Sequence, residues 1–426
     1  MNRKQVTDKL VDLLFLLSTE LQSIEGANRE NLWPLLPDQQ VTEDYEKARE
    51  IIDEVFAIVK HQNGEMLSDD TILTHLLFNV SAIRLDIQVS DNELEETARR
   101  EIRSLLDYEG QRDVDVPLVS LEVGEQPIQF GPVQFRPISE EDRDSDWWLR
   151  VKASLGDMTN TIFLSYARVN VPGDAHRAIY YARDLAHEAL QILRGVGFPI
   201  TSEDVNQIGI LNEYPLWQNV PYRLTTLTET TRVDSQSPQV TTTGPFRTPY
   251  HLVRDILSAI DKDRLRLLIA LLAEHGFQPQ EEMPAKLISG LRWLGDATKP
   301  DSLGARFAKL TFSLESLIGG EATEELLTTR GLTATLAERA AFLVSGDYDR
   351  RIEVDRDIRR YYKKRSEIVH GREAEVAPED LEGFGTLVKE IAWSLLDRID
   401  QFRSVNDLQY WVKVRKYAKD DEPHSR

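Results

Sequence analysis

The pairing best equipped for chemistry in this chain is Arg365 with His370, separated by four residues in Tyr362-Lys363-Lys364-Arg365-Ser366-Glu367-Ile368-Val369-His370-Gly371. An imidazole with an unperturbed pKa of about 6.5 exchanges protons near neutral pH. A guanidinium stays charged and presents two parallel donors to an oxyanion. Spacing alone is weak evidence, because 36 arginines and eight histidines in 426 residues yield this interval roughly 0.7 times by chance. On an α-helix Ser366 and His370 share a face, while Arg365 stands roughly 140° around from His370. The arginine must swing towards the histidine, or the last turn must loosen before Gly371.

The pair lies in an island of reversed charge. Between Arg350 and Arg372 nine cations (Arg350, Arg351, Arg356, Arg359, Arg360, Lys363, Lys364, Arg365, Arg372) face four carboxylates, Glu353, Asp355, Asp357 and Glu367. The rest of the chain is acidic, with 72 Asp and Glu against 51 Lys and Arg and a formal charge of -21. Two readings stand side by side: a local patch that holds a phosphate backbone, or a solvated basic helix face. Whole-surface coating of nucleic acid or of an anionic membrane is excluded by the overall charge.

The elements around the island are helical. Apolar residues recur at helical spacing over Leu252 to Ala273, Leu287 to Leu294, Leu303 to Ile318, Leu332 to Leu343, Ile352 to Val369 and Leu381 to Phe402, which predicts six helices. Gly276, Pro284, Pro300, Gly319-Gly320, Gly346, Gly371 and Pro378 stand where ends are expected. The first hundred residues carry the same period, from Val6, Leu10, Leu14 and Leu17 through Ile52 and Val55, with Gly26 and Gly64 as stops and Asp91 capping a helix through Ile102 and Leu105. Between these regions the period becomes two. Val119, Leu121 and Val123, then Ile128 and Phe130, then Val133 and Phe135 alternate around Gly124 and Gly131-Pro132 in hairpin fashion. Strands are also expected at Trp148 to Ala153 and Thr161 to Val169, flanking a turn at Gly156-Asp157, before Asp174 caps a helix to Arg194. Residues 223–248, rich in Thr, Ser, Gln and Pro, read as a linker.

The expected class is therefore α+β, predominantly α: an N-terminal helical region at 1–110, a mixed α/β sensing or regulatory domain at 111–245, a helical bundle at 246–415 and a polar tail at 416–426. No fixed repeat suggests a solenoid. The absence of cysteine rules out disulfides, thiolate metal sites and cysteine nucleophiles. The apolar runs at Leu13 to Leu17 and Leu267 to Ala273 are too short for a signal core or a bilayer span, so the expectation is a soluble, cytoplasmic protein with no membrane contact.

Other chemistries fail on inspection. There is no G-x-x-x-x-G-K and no G-x-G-x-x-G. His187-Glu188-Ala189-Leu190-Gln191 begins like a helical zinc site, but glutamine stands where the second ligand belongs. His176 and His187 lie eleven residues apart, too far along a helix to share an ion. The acidic runs at Glu140-Glu141-Asp142 and Asp44 to Glu54 read as solvated faces, and no metal site is expected.

From roughly Leu287 to Phe402 the chain resembles the HEPN domains of prokaryotic defence and RNA-processing proteins, in particular the ApeA-like branch. Three landmarks occur in order. Leu314-Glu315-Ser316-Leu317-Ile318-Gly319 is similar to the family's acidic-apolar second helix, Leu336-Ala337-Glu338-Arg339-Ala340-Ala341-Phe342-Leu343 to the next, and Tyr362-x-x-Arg365-Ser366-x-Ile368-Val369-His370-Gly371 to the signature. In one respect the chain departs: many nuclease members follow the arginine with Asn, Asp or His, where this chain has Ser366.

The resemblance implies a four- to five-helix bundle that forms a homodimer or higher oligomer, bringing two Arg and His sets into one cleft that cuts RNA without a metal or cofactor. In that scheme His370 moves the proton of a ribose 2′-hydroxyl or of the leaving 5′-oxygen, and Arg365 stabilises charge on the phosphate. The nucleophile belongs to RNA, so DNA is spared. Ser366 and Glu315 are candidate supports or structural residues. Arg359, Arg360, Lys363, Lys364 and Arg372 are candidate RNA contacts, and Tyr362 is read as core packing in preference to base stacking. The biological role so implied is an anti-phage or toxin-like effector answering a phage-derived trigger or regulatory protein. The alternative is a non-catalytic bundle that dimerises or binds RNA or protein. A hydrolase in the middle domain has no residue constellation behind it.

Overall fold

The computed structural model describes residues 3–24, 46–63, 67–68, 71–72, 75–76, 90–106, 110–155, 165–200, 208–210, 223–226, 250–299, 301–320, 329–369 and 376–417. The chain is predominantly α with a small sheet, in the α+β class. It divides into two compact units. One comprises Met1–Val114, Asn170–Ala182 and Leu224–Val233; the other comprises Asp115–Val169, Arg183–Arg223 and Asp234–Arg426.

The first unit is built on helices α1 (Arg3–Ser23), α2 (Glu46–Asn63) and α3 (Asp91–Leu106). Leu10, Leu14, Leu17 and Leu21 of α1 meet Ile52, Val55 and Val59 of α2 and Leu94, Ala98 and Ile102 of α3 in one buried cluster. Those positions are the helical stripe expected from the sequence. The start of α3 corrects the expected cap. Ser90, not Asp91, stands before the helix: its Oγ accepts the Glu93 N–H at 3.4 Å, and Glu93 accepts the Ser90 N–H at 3.0 Å and hydroxyl at 2.7 Å. This reciprocal box satisfies donors at both ends, which Asp91 inside the first turn cannot do. Gly26 and Gly64 lie outside the described residues.

Asp174 behaves as expected. One carboxylate oxygen accepts the Arg177 N–H at 2.9 Å; the other accepts the Ser68 N–H and hydroxyl, both at 2.7 Å. Burial opposes its ionisation, but the donors of Arg177, Thr71 and Ser68 outweigh that and hold the carboxyl below its ordinary range.

A six-stranded sheet orders as β3-β4-β5-β1-β6, with the strands β1 (Gln111–Val119), β3 (Ile128–Phe130), β4 (Val133–Pro137), β5 (Ser165–Pro172) and β6 (Gly209–Ile210), and β7 (Arg223–Thr226) alongside β1. Leu121–Glu122, β2, pairs separately with β8 (Tyr250–His251). The β3–β4 hairpin has the expected register, Ile128 opposite Phe135 and Phe130 opposite Val133. Gly131 turns it with φ 59°, in the left-handed region that glycine enters without a Cβ penalty. Asp115 is fully buried in β1 and takes Arg168 of β5 in a two-bonded ion pair at 2.7 and 2.9 Å.

Two strand expectations need correction. After the short helix α4 (Glu140–Arg143), Trp148 to Ala153 is not a strand but part of α5 (Asp146–Leu155). Ser145 decides this, its hydroxyl accepting the Trp148 N–H at 3.2 Å and its carbonyl the Leu149 N–H at 3.1 Å. A short apolar run fits either period, and the cap selects helix. Of the strand placed at Thr161 to Val169, the described part begins at Ser165 and runs on to Pro172 as β5; 161–164, the turn at Gly156-Asp157 and 227–249 of the expected linker fall outside the described residues. The linker's first residues form β7.

The helix begun at Asp174 is α6 (Ala175–Gly197). The carboxy-terminal helices are α7 (Lys262–His275), α8 (Glu282–Asp296), α9 (Leu303–Ile318), α10 (Thr329–Val344), α11 (Tyr348–Val369), α12 (Pro378–Leu396) and α13 (Val405–Tyr417). Leu252 to Ala259 is not α-helical: it forms a π turn and a 3-10 turn, because Asp261 accepts the N–H groups of Asp263 and Arg264, both at 3.1 Å, and starts α7 there. The helix expected to reach Phe402 ends at Leu396. Beyond it lies α13, which the apolar pattern does not predict and which Ser404 and Asp407 cap reciprocally. Phe307, Tyr361 and Phe384 join α9, α11 and α12, with ring centroids 4.5 to 6.0 Å apart.

Candidate functional site

Two helices carry the candidate residues, and their own caps fix where they begin. Ser302 opens α9, its hydroxyl accepting the Ala305 N–H at 3.2 Å. The helix closes where the Gly319 N–H reaches the Glu315 carbonyl at 2.8 Å, so Glu315 sits in its last turn. Asp347 opens α11 by accepting the Arg350 N–H at 2.9 Å. Val354, Ile358, Tyr361 and Tyr362 then form its buried stripe. Arg365 follows Tyr362 by three positions, which brings both side chains towards the same neighbour.

That neighbour is Glu315. The Tyr362 phenol donates to Glu315 Oε1 at 2.6 Å, and Arg365 Nη2 stands 3.9 Å from the same oxygen. Tyr362 is 4% exposed, and burial together with the carboxylate it donates to raises its pKa, so it remains a donor. Arg365 and Glu315 side chains are each 30% exposed. Arg365 Nε is buried and has no hydrogen-bond partner among the described residues. Ser366 is half-buried, with no hydrogen bond from its hydroxyl among the described residues. His370, Gly371 and Arg372 lie outside the described residues.

Several cations of the basic island are already engaged. Arg359 holds Asp355 by two bonds at 2.7 and 3.0 Å. Arg360 lies 3.2 Å from Asp357 and donates to the Tyr361 phenol at 3.0 Å. Lys364 pairs with Asp380 of α12. Arg350 reaches Glu353 at 3.3 Å and Glu390 at 3.2 Å. Arg356 and Lys363 are exposed and make no ion pair among the described residues. Beside this face, between α11 and α12, lies a cavity of about 430 Å³ lined in part by Asp357, Glu379, Glu382 and Glu390. Arg350 also lines it, but the four carboxylates make its lining net acidic, a sign that repels phosphate.

The histidine pattern on α6 has other duties. Glu188 pairs with Arg292 of α8 at 2.8 Å, and His187 Nε2 is 3.3 Å from Lys299 Nζ. Burial raises the Glu188 carboxyl, only partly offset by Arg292.

The structure places Arg365 within 3.9 Å of Glu315, one of the two candidate supports. It adds Tyr362, whose packing role was expected but whose hold on the carboxylate was not. The Tyr362–Arg365 interval of three was the available signal. Comparison with family models, curated proteins and solved structures finds no match to the chain.

Proposed function

We propose that the chain is a metal-independent endoribonuclease of the HEPN type, working in the cytoplasm as an anti-phage or toxin-like effector and acting as a dimer or higher oligomer through its carboxy-terminal bundle. The observation that supports this reading most is the Arg365 guanidinium, partly exposed at the end of α11, five residues before His370 and, among the described residues, facing Glu315 only at 3.9 Å, beyond hydrogen-bonding distance. A guanidinium in that state can donate to a phosphodiester without first giving up a two-bonded carboxylate.

In the proposed reaction His370 takes the proton of the ribose 2′-hydroxyl. The 2′-oxygen forms its bond to phosphorus as the bond to the 5′-oxygen breaks, leaving a 2′,3′-cyclic phosphate and a 5′-hydroxyl. The proton delivered to the 5′-oxygen comes from the histidine of the second copy or from water. Arg365 holds the phosphoryl oxygens as their charge grows. Arg356, Lys363 and Arg372 lie on the same helix or just beyond it as backbone contacts.

The test is direct. Purified protein incubated with total RNA in EDTA is expected to produce fragments ending in cyclic phosphate, and His370→Ala or Arg365→Ala to abolish them. Cleavage that survives both substitutions overturns the assignment. The competing reading, a non-catalytic HEPN bundle that dimerises or binds a partner, is favoured by the internal pairing of Arg359, Arg360 and Lys364 and by the adjacent acidic cavity. Intact RNA under every condition, with a stable dimer, supports that reading.

A further inference from the structure

We propose that Tyr362 is a positioning residue that holds Glu315 off Arg365 and so keeps the guanidinium open to an incoming phosphate oxygen. The inference deepens the nuclease reading and rests on it for the identity of the anion. The state of the arginine itself does not depend on that reading.

One carboxylate oxygen decides the arrangement. Glu315 Oε1 accepts the Tyr362 phenol at 2.6 Å, within the range of a strong O–H···O⁻ bond, while Arg365 Nη2 remains 3.9 Å away, beyond hydrogen-bonding distance. An arginine beside a carboxylate ordinarily closes to a two-bonded fork. Arg359 and Asp355 do so on this same helix at 2.7 and 3.0 Å. Arg365 has an equally suitable partner and does not close on it.

The phenol explains the difference. It is almost fully buried and, with its pKa raised by burial, stays protonated and committed to Glu315. Arg365 Nε is also buried, so the 30% exposure of this side chain lies on its other atoms. Glu315 is near enough to neutralise part of the arginine's charge through space and too far to occupy its donors. Among the described residues, an anion arriving from solvent meets a cation that is oriented and whose donors are not taken by Glu315.

Removing the phenol hydroxyl frees Oε1, and Glu315 then closes on Arg365. Phenylglyoxal, which modifies accessible guanidinium groups and blocks trypsin at the modified residue, reads this by mass spectrometry of the full-length protein. In Tyr362→Phe the modification rate at Arg365 is expected to fall about fivefold, the scale of a partly exposed ion pair. Adding Glu315→Gln should restore it, and Arg359 should react at one rate throughout. An unchanged or faster rate at Arg365 in folded Tyr362→Phe overturns the proposal.

Glu315→Gln alone gives a second measure that does not require the tyrosine variant to fold. Here the Arg365 rate should rise less than about twofold, whereas a rise of about fivefold means that Glu315 already occupies the arginine and the proposal fails. Binding of a fluorescein-labelled single-stranded oligoribonucleotide separates the two readings. Slower Arg365 modification with weaker RNA binding supports both. Slower modification with RNA binding unchanged keeps the gate and removes the nuclease reading.

Discussion

Arg365 and a lysine carry the same charge, yet only the guanidinium presents two parallel donors to a phosphate. Under the proposed function Arg365→Lys should lower the rate of RNA cleavage in EDTA about 10²-fold, the scale of losing one charge-stabilising donor; a loss of less than about threefold shows that a point charge suffices. Lys389 of α12 makes a separate prediction. Its ammonium donates to the carbonyls of Val196 and Phe198, at 3.0 and 2.8 Å, closing the end of α6, and burial pushes its pKa down to about 8. The unfolded chain keeps this lysine charged up to about pH 10.4. Below about pH 8 both states are protonated and the fold bears the cost of burying the charge; between about 8 and 10.4 the folded state loses the proton first, so stability rises with pH. Urea midpoints of wild type and Lys389→Met should therefore shift in favour of wild type from pH 8 to pH 10. A constant difference contradicts this.

The helices stand where sequence placed them whenever an apolar stripe and a cap agreed, as at α9 and α11. Where they disagreed the cap won: Ser145 turned an apparent strand into α5, and Asp261 delayed α7. One contact between elements was hidden altogether. A Cβ on Gly295 of α8 would lie 1.7 Å from the Gln191 carbonyl of α6, and one on Gly195 would lie 2.6 Å from the Leu291 carbonyl. Two glycines let these backbones cross without side chains between them. Gly295→Ala must push the helices apart and should cost about 3 kcal/mol in urea unfolding. Gly346→Ala, whose Cβ meets no described atom within 4 Å, should change stability by less than about 0.5 kcal/mol. Equal effects at both positions refute the crossing argument.

For the whole molecule, charge sets the terms of any encounter with RNA. A chain of formal charge -21 repels phosphate overall, so any contact with it depends on local cations. With Arg350, Arg359, Arg360 and Lys364 held by carboxylates, Arg356, Lys363 and Arg365 remain among the described residues, and under the proposed function these and Arg372 meet the backbone. About four contacts to a single strand give a slope of about -2 to -3 in log affinity against log salt concentration. Oligoribonucleotide anisotropy across a potassium chloride series measures it. A slope steeper than about -5 means that the paired cations leave their carboxylates and join the interface. Among the described residues no helix is long and apolar enough to cross a membrane.

By itself the sequence determined the helical class and the hairpin at Gly131, because period, caps and turn residues act locally along the chain. Tertiary structure alone decided which cations are spent, since Lys364 meets Asp380 and Arg350 meets Glu390 from a different helix. It also decided that one carboxylate oxygen goes to the Tyr362 phenol while Arg365 stays apart. Such competition for a partner depends on distances between helices, and no spacing within one helix records them.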